Sequence, residues 1–122
     1  MCPRCLSAIF SRMSAPKFKE LDESIYDALE AVRKRPGMYL PEPSITQLRA
    51  FLNGYTGGLG RVRYALRGTE DFHRFHDWVA HRLGFAGSTS GWCNMIRDKS
   101  VSEEDAFKRF FVLLDEFRME RR

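Results

Sequence analysis

Ala31-Val32-Arg33-Lys34-Arg35-Pro36-Gly37-Met38-Tyr39-Leu40 is the stretch that decides how this chain folds. An apolar helical pattern runs into it, three consecutive cations interrupt that pattern, and Pro-Gly breaks the helix. Pro36 disfavours the helical region for Arg35, so one helix ends there and another begins a few residues on. Upstream, Phe18, Leu21, Ile25, Leu29 and Val32 recur in steps of three and four. This spacing predicts a first helix over Lys19 to Lys34 with a single apolar stripe. Glu20, Asp22 and Glu23 fall in its first turn and cations in its last, the polarity that the helix dipole favours.

Downstream, Pro41-Glu42-Pro43 is a rigid connector, and Ser44 with Gln47 forms a Ser-x-x-Gln capping box that starts a second helix. Ile45, Leu48, Phe51 or Leu52, and Tyr55 supply its buried face. Gly54, Gly57, Gly58 and Gly60 are expected to dissolve it into a flexible turn. Their spacing is not that of a phosphate loop, and no Lys-Ser/Thr follows. Arg61 to Leu66 alternates polar and apolar, which fits a short strand or another helical turn. Thr69 caps a third predicted helix, Glu70 to Leu83, with Phe72, Phe75, Val79 and Leu83 inward, and Gly84 closes it. A polar loop, 87–91, leads into a short helical segment, 92–96. Ser102, followed by Glu103, Glu104 and Asp105, opens a last helix with Phe107, Phe110, Phe111, Leu114 and Phe117 at core spacing.

The expected architecture is mainly all-α: a compact domain of four to five helices over 17–122, with room for one minor hairpin. Residues 1–16 read as a flexible N-terminal tail, with Met13 a candidate start of translation. At 122 residues and 43% hydrophobic content the chain suits one domain with a real core and argues against disorder. It contains no run of about 18 apolar residues that would span a membrane. Nor does its amino end read as a secretory signal, so a cytoplasmic location with reduced cysteines is expected.

The net charge of +4 is concentrated. Seven cations (Arg33, Lys34, Arg35, Arg49, Arg61, Arg63, Arg67) face one anion, Glu42, between Ala31 and Thr69. Such a surplus favours an acidic partner.

Other constellations are incomplete. Cys2-Pro3-Arg4-Cys5 is half a zinc site, and no second Cys pair follows. His73 and His76 lack the Glu of a metalloprotease helix. Cys93, beside Trp92 and Met95, reads as a buried structural thiol. Ser88, Thr89 and Ser90 lie outside any Gly-x-Ser-x-Gly turn. No catalytic residue, cofactor or metal site is assigned.

Glu30 to Tyr39 resembles the segment near the amino end of the ATPase domain of the DNA gyrase B subunit and its type II topoisomerase relatives. There too a helix runs into an Arg-Pro-Gly-Met-Tyr turn before the next helix. In that family the next helix carries a Glu and then Asp-Asn, which activate water and hold magnesium. Here the corresponding segment, Thr46 to Tyr55, contains no carboxylate, and Asn53 stands alone. The adenine-holding Asp-x-Gly-x-Gly and the Gly-rich lid are missing too. The resemblance therefore implies at most a reduced nucleotide-binding relative. The whole pattern is also loosely similar to small bacterial proteins of accessory or immunity type, which act by binding a partner.

The residues point first to a non-enzymatic interaction protein with an acidic protein partner. Arg33, Lys34, Arg35, Arg61 and Arg63 are its expected electrostatic surface, and Tyr39, Tyr55 and Trp92 its aromatic anchors. Nucleic-acid binding through the basic 31–69 region is the alternative from another class.

Overall fold

Ser24 sets where the first helix begins, six residues later than periodicity suggests. In the computed structural model, which describes residues 18–86 and 91–120, Lys19–Ser24 is a strand, β1, and helix α1 spans Ile25–Lys34. Asp27 N donates to Ser24 Oγ and Ser24 N donates to Asp27 Oδ2, both at 3.1 Å, a complete capping box. The hydrogen bond from the Ser24 backbone holds the Asp27 carboxyl below its ordinary value. Ile25, Ala28, Leu29 and Val32 form the buried stripe of α1, whereas Phe18, predicted to join it, is exposed.

The remaining elements are α2 (Pro36–Tyr39), α3 (Ile45–Arg61), β2 (Tyr64–Arg67), α4 (Thr69–Leu83), α5 (Gly91–Asp98) and α6 (Glu103–Glu120). The mainly helical expectation holds, with six helices among the described residues rather than four or five. The extra one is α2, a single turn seeded by Pro36 at its first position. The minor hairpin is replaced by a parallel pair: Lys19 faces Tyr64, Glu20 faces Ala65 and, after an irregularity, Ser24 faces Arg67. Parallel strands need a long crossover, and α1, α2 and α3 provide it. The predicted tail, with Cys2 and Cys5, lies outside the described residues, as does 87–90.

Helix α3 runs straight through Gly54, Gly57, Gly58 and Gly60 instead of dissolving there. Each interior glycine costs roughly 0.5–1 kcal/mol against alanine. The buried face offsets this: Ile45, Leu48 and Leu52 are fully packed, and Phe51, Tyr55 and Leu59 pack on the core from the flank. Arg63, at φ 66°, ends the turn after α3. Only half of the Ser44 box forms. Gln47 N donates to Ser44 Oγ at 3.3 Å, but Gln47 Oε1 accepts from Glu42 N at 2.8 Å and so pins the Pro-Glu-Pro connector.

Gly68, at φ 77°, takes the N-cap place expected of Thr69, whose Oγ1 instead donates to Leu66 O at 2.8 Å. Gly84, at φ 82°, closes α4 as predicted. Ser102 caps α6, with Asp105 N donating to its Oγ at 3.0 Å. Helices α4, α5 and α6 then meet in an aromatic core. Phe75 is fully buried, with Phe72, Trp78, Trp92, Phe110 and Phe117 all within 6.1 Å of its ring.

Candidate functional site

The corner after α1 is where sequence chemistry and geometry meet. Arg35 leaves the helical region (φ −138°, ψ 68°), as the residue before a proline tends to. Its N still donates to Ala31 O at 3.1 Å, while Met38 N donates to Arg35 O at 3.0 Å and Leu40 N to Pro36 O at 2.8 Å. These bonds and the burial of Leu40 fix the corner as a rigid turn.

The three cations have different environments. Arg33 follows Leu29 by four residues, so it flanks the buried face of α1 and reaches α6. Its Nη1 and Nη2 each lie 3.0 Å from an oxygen of Asp115, a two-pronged pair, and its guanidinium stands 5.5 Å over the Phe111 ring. The hydrogen bond to Asp115 raises its proton affinity further. Lys34 and Arg35 are exposed, and no carboxylate among the described residues pairs with either. Arg35 Nη1 donates to Met38 Sδ at 3.9 Å.

Beside them, Met38 is 66% and Tyr39 40% exposed, so the two side chains turn outward, against the inward packing that a simple helical corner predicts. Tyr39 stands edge-on to Phe51 (5.7 Å), and Phe51 lies tilted on Tyr55 (5.8 Å), so an aromatic row leads from the corner along α3. Tyr55 is less available than Tyr39: its hydroxyl donates to Glu23 Oε2 at 2.8 Å. Burial and that hydrogen bond raise its pKa. Below the corner, Arg33, Pro36, Pro43, Phe107 and Phe111 line a cleft of about 470 Å³ against α6.

The other predicted residues lie elsewhere. Arg61 ends α3, ten residues or about 15 Å of helix beyond Phe51. Arg63 places its guanidinium 6.0 Å from the centre of the Phe18 ring. Trp92, expected as an anchor, is half-buried and packs on Phe72, Phe75 and Phe110 as part of the core. Sequence reasoning missed Met38 as a surface residue, and Asp115, Phe111 and Pro43 as members of the site. Asp115 is 82 positions from Arg33, with no local pattern linking them, whereas the place of Arg33 four residues after Leu29 was readable.

Elsewhere, Cys93 is buried and donates to Ile45 O at 3.7 Å; burial pushes its thiol pKa up. Among the described residues no group of three or more His, Cys, Asp or Glu is placed to hold a metal ion. No described helix is long and apolar enough to cross a membrane. The chain matches no protein family, no curated protein and no solved structure with which it was compared.

Proposed function

We propose that this chain is a non-enzymatic interaction module, of accessory or immunity type, that binds an acidic protein partner through the corner between α1 and α3. The observation that carries this reading is the division of labour among the three cations. Arg33 is committed to Asp115 and Phe111, while Lys34 and Arg35 face solvent, with no carboxylate partner among the described residues, beside exposed Met38 and Tyr39. Unpaired cations next to exposed apolar and aromatic groups on a rigid turn suit a partner offering carboxylates around an apolar patch. The turn is ordered before binding, so little conformational entropy is lost on association.

The test is capture from an extract of the source cells by the wild type and by the Lys34→Glu/Arg35→Glu variant. An acidic protein retained by the first and lost by the second supports the reading. Retention by both counts against it. Duplex DNA or RNA held by the wild type, with affinity falling steeply in salt, would move the function to nucleic-acid binding.

A further inference from the structure

Two clefts flank the outer side of α6 and share Lys108. One is the cleft of about 470 Å³ at the corner, with Phe107 and Phe111 from α6 and Pro36 and Pro43 from the turn. The other, of about 300 Å³, opens on the opposite flank of α6, where α4 ends and α5 passes. Leu83, Ile96, Val112 and Leu113 give it an apolar floor, and Val112 is 55% exposed. Arg82, Lys99, Lys108 and Arg109 edge that floor, with Glu116 as the one lining carboxylate.

These cations are loosely held. Arg82 pairs with Glu116 at 3.3 Å, Arg109 with Asp105 at 3.0 Å and Lys108 with Glu104 at 3.7 Å. All three pairs are partly exposed, Lys108 with Glu104 the most, and such pairs contribute little to stability, so an incoming carboxylate can exchange with the internal one. Lys99 has no carboxylate partner among the described residues and lies 5.3 Å from the centre of the Phe85 ring. Over both clefts the lining cations outnumber the lining carboxylates five to two. Adding Asp105, Asp115 and Glu30, which pair with Arg109 and Arg33, brings the two counts level among the described residues, and Lys34 and Arg35 on the corner leave a surplus of two.

An apolar floor with a cationic rim suits an apolar side chain whose neighbours are acidic. Both clefts are open on one side, which suits an anchor on a larger molecule better than an enclosed small ligand. They sit on different flanks of one helix, which is ~10–12 Å across with its side chains. Two side chains seven residues apart on a helix are separated by about 10.5 Å along its axis, the same span.

We propose that this surface docks an acidic amphipathic helix of a protein partner, laid across α6 with one apolar side chain in each cleft and its carboxylates toward Lys108 and the flanking cations. The proposal rests on the acidic-partner reading above and specifies the form of the partner's segment. The probe is a blocked helical peptide of Glu and Ala carrying two Leu seven residues apart, titrated into the ¹⁵N-labelled full chain. The expected result is that the amides of Phe107, Phe111, Leu83 and Val112 shift together with one dissociation constant. Replacing either Leu by Ala, or Lys108→Glu or Val112→Asp in the chain, is expected to weaken it about tenfold or more. Lys108 and Val112 are exposed, so both variants should keep the native spectrum elsewhere. Shifts confined to Lys34, Arg35 and Tyr39 would overturn this proposal and leave the corner reading standing. No shift anywhere, with or without Leu in the peptide, would overturn this proposal, and the corner reading would be decided by the capture experiment. Sodium octanoate moving the same amides as tightly as the peptide would overturn it in favour of a small amphipathic anion.

Discussion

Reversing the charge of Arg33 is expected to destabilise the fold, whereas reversing Arg35, two residues on, is not. Arg33 contributes a two-pronged contact to Asp115 with both side chains partly exposed (39% and 50%), which places it in the surface range of about 0.2–1 kcal/mol, toward the upper end. Its position over Phe111, which is 4% exposed, adds ~0.5–1 kcal/mol. In Arg33→Glu both are lost, and a carboxylate faces Asp115 with Glu30 one turn away, adding a few tenths more. The total is about 1.5–2.5 kcal/mol, or roughly 5–10 °C in Tm for a domain of this size. Arg35→Glu removes no ion pair within the described residues and should stay within about 0.5 kcal/mol. Thermal unfolding followed by circular dichroism measures both, and Arg33→Glu/Asp115→Arg should recover part of the loss by restoring opposite charges. Equal loss in the two single variants, or no recovery in the double, would refute the division between an inward Arg33 and an outward Arg35.

The glycines of α3 should behave oppositely to those at the helix ends. A Cβ at Gly57 or Gly58 meets nothing within 4 Å, so either residue changed to Ala should gain roughly 0.5–1 kcal/mol in urea unfolding. Gly68→Ala should lose more than that, since its φ is 77° and the added Cβ would sit 3.3 Å from Tyr26 Cε2. With Cys2 and Cys5 changed to Ser, Cys93 should resist a thiol-disulfide reagent at pH 8 until the chain is unfolded, because burial disfavours its thiolate; fast labelling of the folded chain would contradict that. Burial works to raise the Glu103 carboxyl, yet the neighbouring Thr46, the hydrogen bond from Ser44 and the charge of Arg97 outweigh it and depress its pKa below the ordinary 4.5. Its stabilising contribution is therefore complete above pH 4.5 and lost as pH falls through the folded-state value. Glu103→Gln should flatten that part of the pH–stability curve and leave pH 7–8 with the same slope.

Much of this fold was legible because its signals are local. Pro36 stops α1, Gly84 closes α4, Ser102 caps α6, and the Phe spacing of α6 marks the buried face. What escaped is decided at a distance. Lys19–Ser24 carries a helical stripe and acidic residues, but its pairing partner, Tyr64–Arg67, lies more than forty residues on, and the Ser24–Asp27 box competes successfully for the helix start. Four glycines read as a break by propensity alone, and the buried Ile45, Leu48 and Leu52 override them. The site was legible in the same proportion. A run of three cations marks the corner, but its side chains are sorted by what α6 brings to it, and Asp115 and Phe111 appear beside Arg33 only in the folded chain. Trp92 carries the composition of an anchor, and Phe110, 4.8 Å away, makes it core.

Affinity for the captured partner, measured by calorimetry on the wild type and two charge-reversal variants, tests the central claim most directly. Lys34→Glu/Arg35→Glu should weaken binding at least about tenfold while Arg61→Glu/Arg63→Glu, at the far end of α3, changes it by less than about threefold. Equal losses from the two variants, or a loss confined to the Arg61 and Arg63 pair, would contradict it.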